Sequence, residues 1–430
     1  MHVSLSVLML TMSIAMGTPV TSNQTVSSGP PAPDNRKFTP VPRFVLNLDL
    51  PARERWSEII TNHYQSEGPS IIDYLKGNIP EWAMPIIQVI GKDIRPYFHD
   101  YAEEMEGIAE AFGLEVGYIV DMNLVYQLES IGINCSNWNN TGPTVPDDPG
   151  CRDIDPRQDY CYCHNKSNQE WIDPHTSILQ PPKYRTKEAV TGLCTSVVAN
   201  TPEGAVLHGR NLDWNIPPIL RKFVIDVDYQ RGNKTVFRGT TIAGFVGILN
   251  GMAVGESDRW SISMDARGKG GKILPNIAAA LLRKSMTPTQ LMRKALETIG
   301  SYSEAISPGS ILNKQPMVDD AYFIIAGSLK WEGGVMSRAR KNAIDYWAMN
   351  TTDSKGWYRL QTNYDHWNPV PVADDRRTPG RAHMDALGPS KITSDSIYQV
   401  MTTEPTYNFH TDYTAVMEPQ SGLYMSGVWL

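Results

Sequence analysis

The hydrophobic and polar positions of the chain follow two successive patterns, the first typical of helices and the second typical of strands. After an alternating strand over 44–50, apolar residues three and four apart predict helices over 51–64, 101–112 and 116–129. From Cys194 onward, short apolar or alternating runs predict strands at 194–199, 205–214, 223–229, 235–243, 260–264, 321–326, 413–417 and 423–428. Helices are expected among them at 276–283, 287–298 and 394–402. Helical and strand segments in these proportions predict an α+β fold.

One pair of apolar runs carries residues with chemical potential. Cys194 opens the run CTSVVA, and AVLHGRNLDW follows after the turn Asn200–Gly204, so the two runs are expected to form a hairpin. Arg210 and Asp213 lie three residues apart, where both are expected to reach back to Cys194. A thiol beside a fixed cation and a carboxylate can form an activated sulfur nucleophile. The alternative is an inert cysteine in a core strand with a surface ion pair.

Composition narrows the class of protein. The 430 residues are 41% hydrophobic and 20% charged, which is ordinary for a globular protein. The net charge is −7, which argues against a general nucleic-acid partner. Beyond the first 20 residues no apolar run is long enough to span a membrane.

The N-terminus is typical of a secreted protein. Residues 1–22 resemble a signal peptide because an apolar run from Val3 to Met16 is followed by small residues. Six sequons are consistent with passage through the secretory pathway. They begin at Asn23, Asn134, Asn139, Asn165, Asn233 and Asn350.

Cysteine positions leave one thiol apart from the others. Four of the five cysteines fall in the stretch 135–163, and the fifth is Cys194. In an oxidising compartment the four can pair with one another and leave Cys194 reduced. An alternative is a zinc site formed by Cys151, Cys161, Cys163 and His164, although the C-x-x-C spacing is missing.

Four motifs together resemble the acid ceramidase and N-acylethanolamine acid amidase family of N-terminal-nucleophile cysteine amidases. They are CTSVVA, HGRNLDW, TNYDHW and DDRRTP, and they occur in the order and spacing of that family. The resemblance implies a catalytic set of Cys194, Arg210, Asp213, Asn363 and Arg376. Cys194 would be the nucleophile, Asp213 would hold its amine, Arg210 would orient Asp213, and Asn363 would donate its NH₂ to the oxyanion. No cofactor and no metal is implied.

The family also implies a fold and a division of the chain. The fold is a four-layer αββα sandwich with a helical N-terminal subunit. After the signal peptide, 23–131 would be the helical alpha subunit and 132–193 a cysteine-rich, glycosylated insertion. Residues 194–430 would be the catalytic beta subunit, released when the chain cleaves itself between Leu193 and Cys194.

The expected activity is hydrolysis of the amide bond of N-acylethanolamines. Hydrolysis of ceramide is the alternative, and an uncleaved, inactive lipid-binding homologue is a second one. The expected partners are N-acyl lipids, a transiently contacted membrane surface and the chain's own second fragment, in the lysosome or outside the cell. Ala266 and Gln127 depart from the family pattern, which has glutamates at both positions. The resemblance implies that the glutamate at position 266 takes part in self-cleavage.

Overall fold

The computed structural model describes residues 36–78, 98–129, 193–214, 221–255, 258–267, 285–370 and 374–430, together with three short strands before Leu193. The N-terminal part is mainly helical, as its periodicity predicts. Its helices are α1 (Ser57–His63), α2 (Gly68–Asn78), α3 (His99–Phe112) and α4 (Val116–Glu129). Gly113 ends α3 in the left-handed conformation, with φ of 70°, and its N–H bonds back to the last turn of that helix.

Two strands precede these helices and join different sheets. Strand β1 (Phe38–Pro40) pairs antiparallel with the C-terminal strand, and β2 (Arg43–Asn47) pairs parallel with a strand of the second sheet. The sequence predicts β2 but not β1, which has only three residues. The N-terminal part therefore contributes an edge strand to each of the two large sheets.

The first sheet contains the cysteine. Its six strands run in the order β1-β17-β16-β7-β6-β15. The central hairpin is β6 (Leu193–Asn200) and β7 (Val206–Asp213), paired antiparallel across the predicted turn. The remaining members are β15 (Tyr358–Gln361), β16 (Thr411–Glu418) and β17 (Leu423–Trp429).

The second sheet has eight strands in the order β14-β13-β12-β11-β10-β9-β8-β2. Apart from β2, all its strands pair antiparallel with their neighbours. They are β8 (Val224–Arg231), β9 (Lys234–Ile242), β10 (Asn250–Ala253), β11 (Trp260–Ala266), β12 (Ala321–Gly327), β13 (Gly333–Arg338) and β14 (Ala343–Ala348).

Helices cover the outer faces of the two sheets. On the first sheet, α8 (Arg377–Leu387) and α9 (Ser394–Met401) enclose a core that includes Leu207, Ile397 and Met401. On the second sheet lies α5 (Pro288–Thr298), followed by the short helices α6 (Tyr302–Ile306) and α7 (Ile311–Lys314). The order of layers is helix, sheet, sheet, helix, which confirms the predicted αββα sandwich.

Local signals in the sequence account for several element boundaries. Helix α5 begins with a capping box: the Thr287 side chain accepts from the Gln290 N–H, and the Gln290 side chain accepts from the Thr287 N–H. Pro288 occupies the first helical position, where its missing N–H costs nothing.

The segment before Leu193, which we expect to be a cysteine-rich, glycosylated insertion, includes some regular structure. It contains a three-stranded antiparallel sheet formed by β3 (Asp153–Ile154), β4 (Cys161–His164) and β5 (Trp171–Ile172). Three predictions fall outside the described residues: the signal peptide, the helix at 276–283 and the pairing of the four clustered cysteines.

Candidate active site

Cys194 is the second residue of β6, and its side chain points between the two sheets. Alternation along β6 places Cys194, Ser196 and Val198 on one face. Val198 on this face packs against Tyr322 and Ile324 of the opposite sheet. The Cys194 thiol is reduced and its residue is fully buried. The strand thus presents the sulfur to the layer between the sheets.

Arg210 places a cation beside this sulfur. It lies opposite Ser196 in the β6–β7 register, so its side chain shares the inner face. Its Nη2 is 3.6 Å from the Cys194 Sγ. The guanidinium also donates to the Leu249 carbonyl and, over 3.2 Å, to the Tyr413 hydroxyl. These bonds hold a permanent positive charge beside the thiol, as the sequence predicts.

The backbone of Cys194 is held by two side chains. Its N–H donates to the Asn363 Oδ1 over 2.8 Å, and its carbonyl accepts from Arg376. The same Asn363 oxygen accepts from the Arg376 Nη2 over 2.7 Å, while the Asn363 Nδ2 donates to the Ala266 carbonyl over 2.8 Å. With Leu193 and Cys194 still joined, Asn363 therefore turns its oxygen rather than the expected NH₂ toward Cys194.

Asp213 lies on the other face of the sheet. It pairs with Leu193 in the register. Because side chains alternate between the two faces of a strand, a residue three positions after Arg210 points to the opposite face. Its carboxylate accepts from the Thr411 hydroxyl over 2.7 Å and the Asn408 amide over 3.1 Å. Arg376, rather than the expected Arg210, forms its ion pair, at 3.3 Å.

Burial controls the protonation of Asp213. Loss of solvent raises the pKa of its carboxyl to about 6, against the lowering effects of Arg376 and of the bonds from Thr411 and Asn408. The carboxyl therefore changes charge in mildly acidic solution.

Arg376 links the parts of the site. Its guanidinium reaches the Cys194 carbonyl, the Asn363 side chain, Asp213 and, over 3.0 Å, the Thr195 hydroxyl. Asp374 fixes it with two bonds of 2.7 and 2.9 Å. Sequence reasoning missed Asp374, although the run DDRRTP places an acidic residue two positions before the arginine.

A second group that sequence reasoning missed is a buried polar layer behind the thiol. Ser196 donates to the Asp265 Oδ1 over 2.8 Å and lies 3.2 Å from the Ser263 hydroxyl. His208 bridges Ser263 and Ser261 with bonds of 2.8 and 2.9 Å. The alternating polar residues of SISMD in β11 were the available signal.

Two titratable groups of this layer have strongly shifted pKa values. Burial lowers the pKa of His208 to about 3, with a further contribution from Arg210, so the imidazole is neutral. Burial raises the pKa of Asp265 to about 7 against the lowering effect of Arg210. The Asp265 Oδ2 is buried without a hydrogen-bond partner in the described structure.

The two departures from the family pattern occupy different places. Ala266 ends β11, and its carbonyl binds the Asn363 amide, so position 266 adjoins the site. Gln127 lies in α4. Among the described residues, no group of three or more His, Cys, Asp or Glu side chains could hold a metal ion. The same part of the chain contains no helix long and apolar enough to cross a membrane.

Two family models match the chain. Residues 39–99 match the beta subunit of N-acylethanolamine-hydrolyzing acid amidase, and residues 194–388 match the linear amide C–N hydrolases of the choloylglycine hydrolase family. The second match begins at Cys194.

Individual relatives carry two names. An N-acylethanolamine-hydrolyzing acid amidase of Oryctolagus cuniculus is 37% identical over 54% of this chain and 62% of its own length. That of Mus musculus is 27% identical over 89% of this chain and 88% of its own. The acid ceramidase of Homo sapiens is 28% identical over 89% and 85%. A solved chain of the Caenorhabditis elegans N-acylethanolamine-hydrolyzing acid amidase ortholog aligns with a TM-score of 0.47 and 32% identity, over 53% of this chain and 93% of its own.

Proposed function

Because the chain belongs to the acid ceramidase and N-acylethanolamine-hydrolysing acid amidase family, we propose that it hydrolyses the amide bond of N-acylethanolamines. The products would be a fatty acid and ethanolamine. The observation that carries the proposal is the setting of Cys194, whose thiol faces Arg210 and whose backbone N–H is held by Asn363. A peptide nitrogen held in this way becomes a positioned α-amine once the preceding bond is cut.

Self-cleavage would come first. The Cys194 sulfur attacks the carbonyl carbon of Leu193, and the peptide nitrogen leaves with a proton, which converts the amide to a thioester. Water then hydrolyses the thioester, releasing the Leu193 carboxylate and restoring the thiol. Arg210 lies close enough to the sulfur to stabilise negative charge on it. Asn363 and Arg376 hold the nitrogen and carbonyl of Cys194 in place throughout.

Hydrolysis of the lipid amide would use the same atoms. The thiol attacks the acyl carbonyl, and the new α-amine takes the thiol proton and delivers it to the departing ethanolamine nitrogen. Water attacks the resulting thioester and releases the fatty acid. Asp213, reached through Arg376, is the carboxylate best placed to hold the α-amine once Leu193 has moved away. An oxyanion donor from Asn363 would have to be its Nδ2, which carries two N–H groups and gives a bond to the Ala266 carbonyl in the joined chain; such a donor is typically worth about 10²–10³ in rate.

The relatives support two substrates. N-Acylethanolamines are the first candidate because the match to that amidase's beta-subunit model covers residues 39–99. Ceramide is the second, because the human acid ceramidase aligns over as much of this chain as the mouse amidase does. Both are lipids, so the proposal includes brief contact with a membrane surface. It also includes passage through the secretory pathway and a lysosomal or extracellular location.

The test follows the purified full-length chain after acidification. We expect a C-terminal fragment that starts at Cys194 and has 430 − 194 + 1 = 237 residues, identified by mass and by N-terminal sequencing. We then expect release of fatty acid from an N-acylethanolamine, with a ceramide of the same acyl chain as the comparison substrate. The Cys194→Ala variant should remain one chain and release nothing.

Each result bears on a different part of the proposal. Full activity of an intact chain would refute self-cleavage. A correctly cut chain that hydrolyses neither substrate would refute the proposed hydrolysis. A chain that stays intact and hydrolyses neither would favour the uncleaved, inactive lipid-binding homologue. Faster hydrolysis of ceramide would assign the second substrate.

A further inference from the structure

Glu104 is a charged residue buried at the contact between the N-terminal helices and the second sheet. It lies in α3 and is 0% exposed. Its two oxygens accept from the Arg293 Nη1 and Nη2 over 2.6 and 2.7 Å, which is a bidentate ion pair. Arg55 and the Trp56 Nε1 add bonds of 2.9 and 2.8 Å. Four donors thus compensate the carboxylate for the water it has lost.

Arg293 is enclosed equally well. Its side chain is 0% exposed, and it also donates to Glu297 over 2.9 Å and to the Val246 carbonyl over 2.8 Å. The guanidinium carbon lies 4.9 Å from the ring centre of Tyr101 and 5.0 Å from that of Tyr229. Because Arg293 belongs to α5, the ion pair joins two parts of the chain that lie on either side of Cys194.

The positions of the cysteines argue against a disulfide between these two parts of the chain. A cut before Cys194 leaves this cysteine as the sole one in the C-terminal fragment, since the other four precede it. A disulfide between the fragments would therefore consume the proposed nucleophile. The two fragments must instead be held by non-covalent contacts.

We propose that the Glu104–Arg293 ion pair retains the N-terminal fragment on the catalytic fragment after cleavage. This inference rests on the self-cleavage put forward above. Other contacts cross the same boundary, including the edge strands β1 and β2 and a partly exposed ion pair between Lys222 and Glu67 at 2.7 Å. The Glu104–Arg293 pair differs from the Lys222–Glu67 pair because both of its charged side chains are fully buried while the fragments are together.

The asymmetry of buried ion pairs makes the proposal testable. Replacing Glu104 takes away one of the two carboxylates that pair with the buried Arg293 and leaves Glu297, and a buried charge that loses part of its compensation costs more than the intact pair gains. Separation of the fragments would return that charge to water, so the cost acts directly on the equilibrium between bound and separated fragments. Loss of an exposed pair has little effect, since both groups are already solvated.

The experiment uses the full chain with Cys194→Ala and a site-specific protease sequence inserted before Leu193. Cutting then depends on the added protease and not on self-cleavage, so a failure of the proposed function leaves this test intact. After cutting, the fraction of N-terminal fragment that co-elutes with the C-terminal fragment is measured by gel filtration over a dilution series. Glu104→Gln should raise the dissociation constant by about a hundredfold.

Glu67→Gln is the matched control, because it removes a carboxylate that also crosses the boundary, and it should change the dissociation constant by less than about threefold. Arg293→Lys is the second variant if uncut Glu104→Gln melts early, since it keeps the charge and loses the bidentate geometry. It should weaken retention by an intermediate factor. Retention equal to the control in every variant whose uncut form melts normally would overturn the proposal.

Discussion

Replacing Asp265 with asparagine should flatten the dependence of stability on pH. The folded-state pKa of Asp265 is raised by burial to about 7, whereas an aspartate in an unfolded chain has a pKa of about 3.9. Below pH 4 the carboxyl is neutral in both states. Between pH 4 and 7 only the unfolded chain gives up its proton, so the free energy of unfolding falls as the pH rises through this window.

The size of the effect follows from the shift in pKa. A difference of about 3 units corresponds to about 4 kcal/mol at neutral pH, relative to acid pH. With an unfolding entropy of about 2.1 cal/mol/K per residue and 430 residues, this amounts to about 4 °C in the thermal midpoint. Asparagine can still accept from Ser196, but its NH₂ takes the place of Oδ2, which costs about 1–3 kcal/mol at every pH. The slope is therefore the diagnostic quantity.

The assay is thermal unfolding between pH 4 and 7.5, in the Cys194→Ala background so that the chain stays in one piece. As the pH rises across this range, the thermal midpoint of Asp265→Asn should increase by about 4 °C relative to that of its parent. Asp395→Asn, at an exposed position in α9, serves as the control and should show no such trend. A difference that does not change with pH would refute the reasoning.

Two further predictions concern Arg376 and a helix cap. Arg376→Lys should slow fragment appearance at acid pH, because an ammonium cannot reach Cys194, Asn363 and Asp213 together as the guanidinium does; a normal rate measured on gels would show that this linkage is dispensable. Thr287→Ala should lower the thermal midpoint by about 1 °C, equivalent to about 1 kcal/mol for a lost cap, without changing the cleavage rate; a changed rate would contradict a purely local role.

The sequence predicts those elements that local physics determines. The hairpin of β6 and β7 has two apolar runs and a clear turn, and α5 has a complete capping box, so their boundaries follow from a few residues. Strands β13 and β14 were missed because they read GGVMSR and AIDYWA, without clean alternation. Helix α8 was missed because Pro379 and Gly380 fall inside it, and both are poor helix formers.

The candidate site was only partly predictable for a related reason. Sequence motifs predict that Cys194, Arg210 and Asn363 come together. In the structure, Arg210 lies beside the Cys194 sulfur and Asn363 binds the Cys194 N–H. They do not reveal that Arg210 and Asp213 face opposite sides of the sheet, which follows only once β7 is known to extend through both residues. The alternation in SISMD indicates a polar face on β11, but the residues that this face meets depend on how one sheet packs on the other, which no local pattern specifies.

Strands β1 and β2 have a consequence for the fate of the protein if it is ever separated from its N-terminal part. Each covers one edge of a large sheet: β1 pairs with β17, and β2 pairs with β8. Without them, the edge strands β17 and β8 would each present a row of unpaired backbone N–H and C=O groups. Such edges can pair with the exposed edge strand of another chain. The separated C-terminal part would therefore be prone to aggregate through its uncovered edge strands.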